Sequence, residues 1–114
     1  MARRVDVVLN EILGAITGIE DAVRDQTKAS FATSWMLPRA LERGVEIISE
    51  AIRHIPDEIL ATRADMPWAE IRAIGNLIRH EYYRVEVDVI WSVIEDDLPA
   101  LRVAIEAMLH DLPR

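Results

Sequence analysis

A chain of 114 residues, 51% hydrophobic and 29% charged, is long enough for one folded domain and too apolar for a disordered one. Its net charge of -7 excludes a protein that coats nucleic acid with its whole surface, because the long-range field repels phosphate. The lack of cysteine excludes disulfides and thiolate metal sites, and Asp6, Asn10 and Glu11 interrupt the N-terminal sequence before a signal peptide or membrane span could form, so a cytoplasmic protein without membrane contact is expected.

Val5, Val8, Leu9, Ile12, Leu13, Ile16, Ile19 and Val23 recur every three or four residues and predict a first helix over about 4–24. Gly14 and Gly18 stand four apart within it, a spacing that would let a neighbouring helix approach closely. Residues 24–30 read as a polar linker. A second helix is expected over about 34–54, with Leu37, Leu41, Val45, Ile48, Ile52 and Ile55 as its stripe and Ser34 as its cap. Pro38 falls in or near its first turn, where a missing amide donor costs little, and Pro56 stops it. Residues 57–66 read as a connector with room for a short helical turn.

A third helix should begin near Pro67 and turn Trp68, Ile71, Ile74 and Ile78 inward. A break is expected around 84–86. Val89, Ile90, Val93 and Ile94 then make a fourth helix, and Asp97-Leu98-Pro99 starts a fifth through Leu109, with Asp97 as cap. Trp35, Trp68 and Trp91 read as core or interface anchors. No β alternation or repeat competes with this pattern, which predicts an all-α, up-and-down bundle of four or five helices, one domain over residues 1–114.

The stretch from Arg72 to Arg84 departs from the core pattern: it holds three arginines against the single carboxylate Glu81, together with Asn76, His80, Tyr82 and Tyr83. It is a basic strip in an acidic chain. At about 100° per residue, Arg72, Asn76 and His80 lie within about 80° of one another on a helix. Such a face suits phosphodiester chemistry: a histidine moves a proton near neutral pH, while guanidinium and amide groups hold charge on phosphate. The competing reading pairs His80 with Asn76 in a helix interface and leaves the arginines to surface ion pairs.

His54 and His110 stand near helix ends and carry no site-like neighbourhood. Metal binding is not expected, because His80 lacks a second histidine at helical spacing, and Glu46 and Glu50 read as solvent-facing partners of Arg43 and Arg53. No cofactor is implied.

Several separated segments, in order, resemble the HepT-like branch of the HEPN superfamily: residues 43–51 on the second helix, Met66-Pro67-Trp68 opening the third, Asn76 through Tyr82, Val89-Ile90-Trp91, and Asp96-Asp97-Leu98-Pro99. The family signature is an arginine, four residues, a histidine, one residue and a tyrosine. His80 and Tyr82 match it, and Gly75 stands where the arginine belongs. Arg79, beside the histidine, or Arg72, one turn before Asn76, would then supply the guanidinium.

The resemblance implies a toxin of a toxin-antitoxin pair, a metal-independent endoribonuclease whose homodimer builds the RNA cleft. It also implies an antitoxin, a minimal, MntA-like nucleotidyltransferase that uses ATP and magnesium to place AMP on Tyr82. A catalytically silent helical module that binds the nucleotidyltransferase is the alternative.

Overall fold

The computed structural model describes residues 4–81 and 87–113, with the backbone alone for 77–81. The described residues are helical with no strand: α1 (Val5–Val23), α2 (Lys28–Thr33), α3 (Met36–Ile52), α4 (Asp57–Leu60) with a 3-10 turn (Ala61–Arg63), α5 (Trp68–Glu81), α6 (Val87–Ser92), a π turn (Val93–Asp97) and α7 (Leu98–Asp111). This is the expected all-α bundle. Among the described residues no helix is long and apolar enough to cross a membrane.

The stripe of α1 packs inward as the period requires, with Val8, Leu9, Ile12, Ile16 and Ile19 buried. α3 occupies the centre, against α1 on one side and α5 on the other, and α7 covers a further face of α1. The close approach of α1 and α3 is made at Gly44, where an added Cβ would stand 2.8 Å from the Ile19 Cδ1 atom. Gly14 and Gly18 are exposed and have nothing within 4 Å of such a Cβ, so the expectation that they admit a neighbour is corrected. Their spacing is helical, but they lie off the face that α3 covers.

Residues 24–30 are not all linker. Thr27 and Ser30 form a capping box: the Thr27 hydroxyl accepts from the Ser30 amide at 3.0 Å, and the Ser30 hydroxyl accepts from the Thr27 amide at 2.9 Å. The short α2 that follows is held by Phe31, fully buried with its ring 5.2 Å from that of Trp91. A six-residue helix is too short for periodicity to reveal, and only its cap is legible.

Ser34 caps the entry to α3 as expected, accepting from the Leu37 amide at 3.0 Å, and Pro38 is buried in the first turn. Ile55 is buried but lies in the turn beyond α3. The restart before α7 differs from expectation: the Asp97 side chain makes no cap hydrogen bond, and the chain passes from α6 to α7 through the π turn. The sequence break at 84–86 lies outside the described residues. Of the three tryptophans, Trp68 and Trp91 are buried, whereas Trp35 is 74% exposed beneath the Arg39 guanidinium, 4.5 Å from its ring centre.

Candidate functional site

The start of α5 is fixed by Trp68. Its indole N–H donates to the carbonyls of Leu60 and Arg63, each at 3.0 Å, tying the helix to the connector before it. One turn on, Ser49 of α3 is fully buried against α5, where its hydroxyl donates to the Arg72 carbonyl at 2.8 Å and accepts from the Gly75 amide at 3.1 Å. Arg53 donates to the same Arg72 carbonyl at 3.2 Å. A buried hydroxyl with both its hydrogen-bonding roles filled fixes the axial position of one helix against the other.

The consequence falls on the basic strip. α5 continues without interruption from Trp68 through Glu81, so Arg72, Asn76 and His80 stand at successive turns of one continuous helix. Arg72 is half-buried and Asn76 exposed. Among the described residues no carboxylate pairs with the Arg72 guanidinium. The side chains of Arg79 and His80, and the whole of Tyr82, lie outside what is described.

Gly75 is buried on the side of α5 that meets α3, with its amide on the Ser49 hydroxyl. Position 75 therefore opens onto the seam between two helices. Ser49 escaped sequence reasoning, yet a signal exists: it stands four residues after Val45 and three before Ile52, on the apolar stripe of α3, where a hydroxyl needs a partner.

The two predicted carboxylate–arginine pairs form, although Glu46 is half-buried rather than solvent-facing. Arg43 meets Glu46 at 2.6 Å and Arg53 meets Glu50 at 3.6 Å. His54 lies 3.8 Å from Glu50 just past α3, and His110 is exposed in the last turn of α7. Among the described residues no cluster of three or more His, Asp or Glu could hold a metal ion.

The Ribonuclease HepT-like family model matches residues 12–108. The chain belongs to that family. Among its relatives in the family, a protein of Thermococcus cleftensis named "Probable ribonuclease HepT" is 30% identical over 88% of this chain and 91% of its own length. A protein of Methanocaldococcus jannaschii named "Gamma-glutamylcyclotransferase and putative RNase" is 32% identical over the whole chain. This chain spans about half of that relative, 51% of its length. A third relative, from Caldanaerobacter subterraneus subsp. tengcongensis and named "Putative RNase", is 30% identical over 90% of this chain and 91% of itself. No solved structure matches the chain.

Proposed function

We propose that this chain is a HepT-like toxin: a cytoplasmic, metal-independent endoribonuclease that works as a homodimer and is silenced by a minimal nucleotidyltransferase antitoxin. The observation that carries the reading is the unbroken α5, which sets Arg72, Asn76 and His80 at successive turns of one helix in a chain of this family. In the reaction, the His80 imidazole removes the proton of a ribose 2′-hydroxyl, and that oxygen attacks the adjacent phosphorus. The bond to the 5′ oxygen breaks, and an imidazolium returns a proton to that leaving oxygen. The products are a 2′,3′-cyclic phosphate and a 5′-hydroxyl end.

Arg79 and Arg72 hold the phosphate as its charge builds, and Asn76 positions it. Two copies of the strip, brought together by the dimer, would double the local positive potential that one acidic protomer offers. The antitoxin transfers AMP from ATP to Tyr82, the deprotonated phenol oxygen bonding to the α-phosphorus as pyrophosphate leaves, which sets a bulky negative group beside a cleft meant for phosphate.

Purified protein should cleave RNA in the presence of a chelator and leave 2′,3′-cyclic phosphate ends. Unchanged cleavage by His80→Ala would end the catalytic assignment. Gly75 supports the second reading, a silent module that binds the nucleotidyltransferase, because the family arginine is missing and its position is a packed helix seam. Co-expression with the nucleotidyltransferase and intact-mass measurement separates the two. A gain of one AMP on Tyr82 marks a regulated toxin, whereas a stable complex with neither AMP nor cleavage marks the silent module.

A further inference from the structure

On the side of α5 away from Arg72 and Asn76 lies a groove of about 420 Å³, framed by α3, α5, the π turn and α7. Val45, Ile48, Ile71, Ile74 and Leu98 make its floor, buried or half-buried. Its volume is in the range of pockets that accept a ligand or a few side chains. Four exposed carboxylates, Asp65, Glu70, Asp96 and Asp97, stand around its mouth.

Among the described residues no arginine or lysine pairs with Asp65, Glu70 or Asp97, while Asp96 accepts from the Ser92 hydroxyl at 3.0 Å. The Asp97 carboxyl is held above its ordinary range, chiefly by lost hydration and then by repulsion from Asp96 and Glu70. The rim includes the π turn, an irregular helical geometry that recurs at functional sites. No cluster that could hold a metal is present among the described residues, so a spherical cation is not the natural occupant.

We infer that this groove docks a basic amphipathic segment of a partner protein, with aliphatic side chains entering the floor and lysine or arginine side chains meeting the carboxylate rim. The apolar floor asks for a helix face or strand that carries aliphatic residues. The rim selects among such segments by charge: basic ones gain in affinity and association rate, and acidic ones are rejected. RNA is excluded from the same place because its phosphates would face four carboxylates. The inference is independent of whether the chain cleaves RNA, since the groove and the basic strip occupy opposite sides of α5. A seated partner would touch the back of the helix and leave the strip open.

The test uses the full chain and a synthetic amphipathic helix about four turns long, with leucine on one face and lysine on the other. Binding is read by fluorescence anisotropy and by methyl chemical shifts of the isoleucines and leucines. The leucine–lysine peptide should bind and shift Ile71, Ile74 and Leu98. The same peptide with glutamate for lysine should not bind. Glu70→Gln/Asp97→Asn should weaken binding about tenfold or more, while Asp57→Asn/Glu58→Gln, an equal change of net charge on the exposed start of α4, should leave it within about twofold.

Equal weakening by the two double variants would show attraction to overall charge alone and overturn the groove. So would competition by a short single-stranded RNA for the same methyl groups, or full displacement of the peptide by spermine with no floor contact in the shifts. As a check that does not depend on charge, Ala100→Trp at the exposed edge should block the peptide without lowering Tm, and unchanged binding in that variant would also reject the proposal.

Discussion

The two sides of α5 differ in sign and in surroundings. One carries half-buried Arg72 and exposed Asn76; the other contributes Glu70, Ile71 and Ile74 to an acid-rimmed groove. Between them, the seam with α3 is closed by Ser49. A single amphipathic helix normally offers one apolar and one polar face. Here the polar surface is itself split by charge, so one element presents two chemically opposed surfaces in an acidic molecule.

The sharpest way to break this comparison is at the basic side. His80→Ala should lower RNA cleavage by about two to four orders of magnitude with Tm unchanged, measured on a labelled RNA in chelator. Retained cleavage would leave the strip as an ordinary polar surface.

The seam comes next. Gly44→Ala sets a Cβ 2.8 Å from the Ile19 Cδ1 atom, so that side-chain end must move aside and the variant should gain less than the helix-propensity benefit of up to ~1 kcal/mol. Gly14→Ala should stabilise the bundle by up to ~1 kcal/mol, since nothing lies within 4 Å. Denaturant melts should therefore place Gly14→Ala above Gly44→Ala, and equal gains would count against the close approach of α3 to α1 at Gly44.

Ser49→Ala removes the bridge between the α3 and α5 backbones. It should cost about 1–2 kcal/mol and lower cleavage as well, because Arg72 and Asn76 are carried by the helix that Ser49 registers. A stability loss with cleavage unaltered would separate the seam from the site.

The acidic side yields a pH test. The Asp97 carboxyl is raised above 3.8 in the folded state, so folding disfavours its ionised form, and the opposing effect is present above its folded pKa. As pH falls through that value the carboxyl is protonated and the penalty is relieved. Asp97→Asn should thus raise Tm at neutral pH and lose that advantage at and below pH 3.8, in thermal melts across the window. The smallest effect is expected away from both surfaces. Arg102, which ties α7 to Glu20 of α1 at 2.6 Å, is partly exposed, and Arg102→Ala should cost no more than about 1 kcal/mol, less at high salt.

The long helices were legible because Ile and Val recur at helical spacing over many turns, as in α1 and α3. α2 was not, since six residues show no period and Phe31 finds its place only against Trp91, sixty positions away in the chain. The π turn was hidden for a related reason: Asp97-Leu98-Pro99 carries the local marks of a fresh start, and packing joined α6 to α7 without a capped break. At the site, the types and spacing of Arg72, Asn76 and His80 were visible in one dimension. That position 75 turns into the α3 seam was not.

The sequence by itself determined the helical class, the positions of the main apolar stripes and the family, because each rests on residue order within one segment or on ordered matches along the chain. Only the tertiary structure decided which glycine is crowded, which tryptophan remains in water, where Ser49 finds its partners and how four carboxylates from separate segments gather around one apolar floor. Those features depend on distances between residues remote in the chain, and such distances are set by packing rather than by local periodicity.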